Sequence, residues 1–301
     1  MSFIAGAGIT NVDLLYTGLK RIPEKGEEVY SEGFEMRLGG GIPATLINLA
    51  RLGIDVKCAT ALGDDIFSKF AEAEYEAYGI KPVNLNTGDG IPLNISSALI
   101  LPDDRSFVTY GKGALEETED SAERFYNTAR SSDITIMQAG GFLSVYEKLK
   151  SEGIKLVFDT GWDDGLSFEK YGDYLRLADY YTPNRKEALK ITASNDVYEA
   201  AEKLKEYFDE VIIKLDSDGC LYYNGKDFRI IPSIEEFTHV DSTGAGDAFL
   251  AGFCYGLYHG YRAEDSILLG NITGGKAVTK AGALSAYCTE DELILNYNKY
   301  R

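Results

Sequence analysis

Histidine is nearly missing from this chain: only His239 and His259 occur among 301 residues, too few for a His-based metal site. Cysteine is sparse as well. Cys58, Cys220, Cys254 and Cys288 lie far apart among apolar neighbours with no Cys-x-x-Cys pair, the pattern of buried free thiols rather than of disulfides or metal ligands. Basic residues are outnumbered, 30 Lys and Arg against 48 Asp and Glu, and a formal net charge of −18 argues against nucleic acid or an anionic membrane surface as partner. No apolar run approaches the roughly eighteen residues of a membrane span. The opening Met1-Ser2-Phe3-Ile4-Ala5-Gly6 lacks a basic start and a long apolar core, so we expect no export signal and a soluble, cytoplasmic protein. Nor does any repeat, low-complexity tract or break in composition divide the chain. A hydrophobic content of 45% supplies one substantial core, and we expect residues 1–301 to form a single domain.

The most informative stretch is 240–254. A turn of small polar residues runs without a break into Ala248, Leu250, Ala251, Cys254 and Leu257, spaced as a buried helix. The first amides of a helix have no partner within it. With Gly244, Ala245 and Gly246 at that point, no bulky side chain screens them, and an anion can approach the positive end. Asp247 follows, within reach of a hydroxyl brought to that anion. A base beside an oxyanion seat suits phosphoryl transfer, although the same residues also make an ordinary tight turn with an acidic first-turn residue.

Elsewhere short apolar strands alternate with helical stretches. Strands are expected at 3–9, 56–61, 133–138, 154–159, 178–182 and 210–216, and helices after Gly39-Gly40-Gly41 as far as Gly53, then at 66–78, 143–151, 166–177, 184–191, 195–208 and 264–280. This predicts an α/β fold, a mostly parallel sheet with helices on both faces and a site at the carboxyl ends of the strands, where Gln138, Asp159 and Asn184 stand. Residues 14–37 and 91–110 break the alternation and read as edge strands or hairpins, the second with a turn at Pro102-Asp103-Asp104-Arg105. Asn184 and Glu187, one helical turn apart, offer oxygen ligands that Mg²⁺ prefers, or else a helix cap. Two glycine patterns are set aside. Gly6 and Gly8 lack the third glycine of a dinucleotide fingerprint, and the run from Gly270 to Lys276 is followed by Ala277 where a P-loop needs a hydroxyl.

Asp241-Ser242-Thr243-Gly244-Ala245-Gly246-Asp247-Ala248-Phe249 closely resembles the signature of the PfkB (ribokinase-like) carbohydrate kinases, and the stretch from Gly39 to Gly53 resembles that family's N-terminal signature. Gly63-Asp64-Asp65 is similar to a third family segment, and the resemblance extends from Asp13 to Gly282. It implies a ribokinase-like three-layer sandwich in which 14–37 and 91–110 form a small β-sheet lid over a sugar. It further implies ATP and Mg²⁺ as cofactors, K⁺ as an additional ion, and a homodimer paired through the lid.

By the same resemblance, Asp247 is the base and Gly244, Ala245 and Gly246 the anion hole. Asp13, Gly39, Gly40, Gly41, Ala44, Asn48 and Gln138 would surround the sugar. Asn184, Lys214, Asp216, Gly219, Gly244, Gly246 and Asn271 would meet ATP, Asn184 and Glu187 would order Mg²⁺ through water, and Asp241, Thr243 and Gly282 would hold a monovalent cation. Two departures stand out: Ala44 where the family usually carries a sugar-binding Asn, and Asp216 where it carries Gly. Without the resemblance, Asp13 also reads as a turn residue, Lys214 as a strand-end cation and Asn271 as a helix polar.

The expected activity is transfer of the γ-phosphoryl group of ATP to a hydroxyl of a small sugar, in the manner of a ribokinase, fructokinase or 2-keto-3-deoxygluconate kinase. A nucleoside kinase of the same fold, stacking a base on Tyr16, Tyr30 or Tyr110, and a non-catalytic sugar or nucleotide binder are the alternatives. A phosphorylated acceptor would need clustered cations, for which only Arg105 and Lys112 are nearby candidates.

Overall fold

The computed structural model describes residues 2–102, 105–111 and 114–301; the expected turn residues Asp103 and Asp104 and the candidate cation Lys112 lie outside them. Six parallel strands form the central sheet in the order β10-β9-β8-β1-β4-β5. They are β1 (Ile4–Ala7), β4 (Val56–Thr60), β5 (Val83–Asn84), β8 (Ile134–Met137), β9 (Lys155–Phe158) and β10 (Tyr180–Tyr181). Alternation along β1 sends Ile4 to one core and Ala5 to the other, as a strand covered on both faces requires.

The core on the first face is built with α1 (Ile42–Arg51), α2 (Ile66–Ala77), α8 (Ala245–Tyr258), α9 (Ala263–Ala277) and α10 (Glu290–Tyr300). That on the second is built with α3 (Glu119–Ala129), α4 (Leu143–Ser151), α5 (Phe168–Leu177), α6 (Arg185–Thr192) and α7 (Val197–Leu204). The result is three layers, as the alternation of strand and helix predicts. No helix among the described residues is long and apolar enough to cross a membrane. All four cysteines are buried and free.

Small residues fix how closely the layers approach. A Cβ on Gly6 would lie 2.6 Å from Ile42 Cγ2 and one on Gly8 2.8 Å from Pro43 Cδ, so the paired glycines at the end of β1 let α1 settle on the sheet. Helix α8 is buried from Ala248 to Leu257. Its Gly252 admits the Thr273 side chain of α9, where a Cβ would come within 2.3 Å of Oγ1, and that hydroxyl donates to Ala248 O at 2.7 Å. Asp65 starts α2 by accepting from the Phe67 and Ser68 amides at 2.9 and 3.0 Å.

A second sheet, antiparallel in the order β11-β12-β13, comprises β11 (Val211–Lys214), β12 (Cys220–Tyr223) and β13 (Phe228–Ile231). It meets the central sheet through one isolated parallel bridge, Asn184 with Lys214. The third sheet is the lid, β3-β2-β6-β7, from β2 (Asn11–Thr17), β3 (Gly33–Leu38), β6 (Asn94–Ile100) and β7 (Arg105–Tyr110). The two segments that broke the alternation thus join, β2 pairing with β6 in parallel and each closing an antiparallel pair with β3 and β7 respectively.

The β12–β13 hairpin and helices α3 and α10 were not expected from the sequence. Helix α10 buries only Leu293 and Tyr297, and α3 buries Phe125 and Ala129 beside two hydroxyl residues, faces too narrow to stand out by periodicity. The strand expected to reach 216 stops at Lys214, because Asp216 turns the chain with φ +55°.

Candidate active site

The turn before α8 begins the site. Gly244 has φ +76°, and a Cβ there would lie 2.5 Å from Ala283 O, so the position accepts only glycine. No side chain caps α8. Ala245, Gly246 and Asp247 are half-buried, not turned into the core, and the positive helix end lies beside Lys214 at the carboxyl end of β11.

Asp247 is held from the opposite side. The Gly41 N–H donates to its Oδ2 at 3.0 Å, and a Cβ on Gly40 would stand 2.7 Å from the same oxygen. Gly41 also starts α1, with φ +90°, so two glycine-lined helix starts converge on one carboxylate. Burial, and next the Asp159 charge, push Asp247 up to about 7, against the Gly41 hydrogen bond and the Lys214 charge, which pull it down. A carboxyl that titrates near neutrality is suited to taking and returning a proton.

Beside it a cation sits among acids. Lys214 Nζ lies 3.6 Å from Asp159 Oδ2 and 3.5 Å from where a Cβ on Gly246 would stand, at the edge of the anion turn. Burial alone would lower Lys214, but Asp159, Glu187 and Asp247 raise it above its ordinary value and keep it charged. Asn184 and Glu187 form a reciprocal capping box. Glu187 Oε2 accepts from the Asn184 amide at 2.8 Å and Asn184 Oδ1 from the Glu187 amide at 3.0 Å. Burial and then Asp159 raise the Glu187 carboxyl, so this corner would gain from a further positive charge. Asp159, noted in the sequence only as a strand-end polar residue, therefore touches the electrostatics of three candidates; its signal was its position at the end of β9.

On the lid side, Asp13 is buried in β2, and a Cβ on Gly39 would stand 2.7 Å from its Oδ2. Burial pushes the Asp13 carboxyl up to about 6. Asn11, which the sequence reading passed over, adjoins the same glycine, and its Oδ1 is buried without a partner. Asn-x-Asp at the start of a strand puts both side chains on one face, a signal that was present. Gln138 ends β8, its Oε1 3.3 Å from the Cβ position of Gly8.

Other candidates are placed differently. Ala44 is 0% exposed and packs in the core, so its methyl offers no surface to a ligand. Asn48, one turn on, is buried with Oδ1 accepting from Arg51 Nη1 at 3.3 Å and Nδ2 unpartnered. Asn271 donates through Nδ2 to Ile231 O and Pro232 O, both at 2.9 Å, which ties α9 to the end of β13 and commits its donor. Asp216 occupies the left-handed region that glycine fills without cost and that Asp tolerates better than most residues, which accounts for the departure there. Gly219 closes the same turn, and a Cβ on it would lie 2.2 Å from Ile231 O. The Asp241 carboxylate accepts from the Thr243 amide and hydroxyl at 3.0 and 2.8 Å and from the Gly282 amide at 2.9 Å, and it forms an ion pair with Arg105 of the lid.

Known proteins resemble this chain in sequence and in fold. The sequence matches the profile of the pfkB family carbohydrate kinases over residues 1–290. It is 27% identical over 290 residues to a ribokinase of Lactococcus lactis, covering 94% of this chain and 93% of that protein. The fold superposes on an Arabidopsis thaliana ribokinase complexed with ribose and ATP at a TM-score of 0.82, with 21% identity and 100% of both chains covered. A Burkholderia thailandensis nucleoside kinase in complex with inosine is similar at a TM-score of 0.78, with 18% identity over 99% of this chain and 98% of that one. With the family profile matched over nearly its whole length, this chain belongs to the pfkB family of carbohydrate kinases, phosphotransferases whose acceptor is an alcohol group.

Proposed function

We propose that the chain transfers the γ-phosphoryl group of ATP to a hydroxyl of a small neutral sugar, with Asp247 as the base. The observation that carries this is Asp247 Oδ2, fixed by the Gly41 N–H at 3.0 Å at the uncapped start of α8 and pushed up to about 7. The acceptor hydroxyl gives its proton to Asp247 as its oxygen bonds to the γ-phosphorus and the bond to the ADP oxygen breaks. The Gly246 amide and Lys214 lie where they would take up charge on the transferring group, whereas the Ala245 amide, expected to join them, is already taken by Ser242 O at 3.2 Å. Mg²⁺, reached through water from Asn184 and Glu187, would neutralise the β- and γ-phosphate oxygens.

A sugar is favoured over other acceptors by what faces the cleft. Asp13 and the unpartnered Asn11 Oδ1 are acceptors for hydroxyl donors. A phosphorylated acceptor would need a spare cation, yet among the described residues Lys214 faces Asp159 and Arg105 pairs with Asp241. For a nucleoside, the lid register matters. Tyr16 and Tyr110 alternate to the face opposite Asp13, whereas Phe107, opposite Ala98, shares the Asp13 face. Two of the three tyrosines expected to stack on a base, Tyr16 and Tyr110, therefore point away from the acceptor side, and Tyr30 stands in the loop before β3, 83% exposed, which leaves Phe107 as the described strand aromatic on that side.

That outer lid face, with Phe34, Val108 and Tyr110 at 57%, 72% and 59% exposure, is an apolar surface for pairing with a second copy. ATP consumption measured across sugars, sugar acids and nucleosides tests the acceptor; turnover confined to nucleosides, or none with any acceptor, would displace the sugar reading.

A further inference from the structure

We infer that Arg105 of the lid stands in for a monovalent cation at Asp241, so that a guanidinium carried by β7, rather than K⁺, braces the anion turn. The inference rests on the reading of that turn as the phosphate seat. Asp241 opens the turn that ends in Gly244, and its carboxylate binds the turn at Thr243 and the neighbouring loop at Gly282, the loop against which Gly244 is pressed at Ala283. Whatever neutralises Asp241 therefore sets the position of the first amides of α8.

With Arg105 in place, the groups around that carboxylate do not suit a metal ion. A monovalent cation needs a shell of oxygen lone pairs, whereas the Thr243 amide, the Thr243 hydroxyl, the Gly282 amide and the Arg105 guanidinium all direct hydrogens at Asp241. Nearby carbonyls are already accepting. Val278 O takes the Val240 and Asp241 amides at 2.8 and 3.1 Å, Gly282 O takes the Ser285 amide at 3.2 Å, and Ser242 O takes the Ala245 amide at 3.2 Å. The set expected to ligate a cation, Asp241, Thr243 and Gly282, is instead a completed carboxylate.

The guanidinium differs from a free ion in being attached to the lid. Arg105 pairs in register with Ile100 and alternates to the face that carries Phe107 and Thr109, the same face as Asp13. Its reach to Asp241 requires the lid to lie over the cleft. The ion pair is thus a positioning contact, not a catalytic one: it transmits lid closure to the phosphate seat, and coupling of this kind is ordinarily worth about 5- to 150-fold in affinity.

The test is titration of Mg·ATP into the native protein and into Arg105→Met and Arg105→Lys, in KCl and in tetramethylammonium chloride at equal ionic strength, with melting temperatures recorded alongside. The native protein should bind Mg·ATP equally in both salts. Arg105→Met should bind about tenfold more weakly in tetramethylammonium and recover in KCl, with Arg105→Lys near native in both. Binding by the native protein that tightens severalfold in K⁺ overturns the inference, and this arm needs no variant to fold. A loss in Arg105→Met that K⁺ does not relieve, or no loss at all, overturns it too. Because binding is read without turnover, failure to phosphorylate any acceptor would sink the kinase reading separately.

Discussion

Gly41 and Asp247 are 206 positions apart in the chain and joined by a hydrogen bond of 3.0 Å, from the amide that starts α1 to the carboxylate in the first turn of α8. Each helix start lacks a side-chain cap, and each is opened by glycine. The contact ties the start of α1 to the start of α8, and in the proposed reaction the second carboxylate oxygen of Asp247 is the one that meets the acceptor.

Replacing Asp247 by Asn keeps the shape and removes the base. Mg·ATP binding should persist while kcat falls on the order of 10² to 10⁴. A variant with near-native kcat would take Asp247 out of the base role.

The acid limb of the pH–rate profile follows from the same group. Asp247 accepts a proton only when ionised, so kcat/KM should fall as pH drops through about 7. Stability runs the other way. A carboxyl raised on folding favours the folded state below its unfolded value, and that contribution is lost as pH rises through about 7. A limb at ordinary carboxylate pH would contradict the assignment.

Asp159 is the negative neighbour that helps to raise Asp247 and the partner of Lys214 at 3.6 Å. Asp159→Asn should move the acid limb to lower pH and raise KM for ATP, since Lys214 loses what aims it. An unchanged limb would separate Asp159 from the site.

Gly40→Ala would bring a methyl to 2.7 Å from Asp247 Oδ2. Displacing the carboxylate by a fraction of an ångström should cost about 10² in kcat, with little change in melting temperature because the residue lies in the cleft. A fall in stability with intact kcat would make the glycine structural only.

If copies pair through the outer lid face, Val108→Lys should convert a dimer to a monomer by size-exclusion chromatography with light scattering, because a buried unpaired ammonium is costly. A native protein that is monomeric at all concentrations would end that proposal.

Much of this was legible because it is local. The bounds of α4 and the start of α2 follow from hydrophobic spacing and caps, and the turn before α8 from its glycines. What was not legible depends on chain segments meeting. The face of the lid that carries Tyr16 is set by the parallel pairing of β2 with β6, about eighty residues apart, and the role of Asp159 by Lys214, at the end of β11, coming within 3.6 Å of it. Ala44 looked like a vacancy among sugar contacts, yet it packs wholly in the core, while Asn11, two residues before Asp13, carries the orphaned oxygen near the acceptor.

The central sheet and the β11–β13 sheet share one bridge, at Asn184 and Lys214, reinforced by the Lys214 amide donating to Pro183 O at 2.8 Å. Both residues adjoin the proposed nucleotide seat, so a bound triphosphate would rivet a seam that the backbone fastens at a single stitch. Occupancy should therefore be felt as stiffening of a whole layer, with slower amide exchange along β11 far beyond the atoms the phosphates touch.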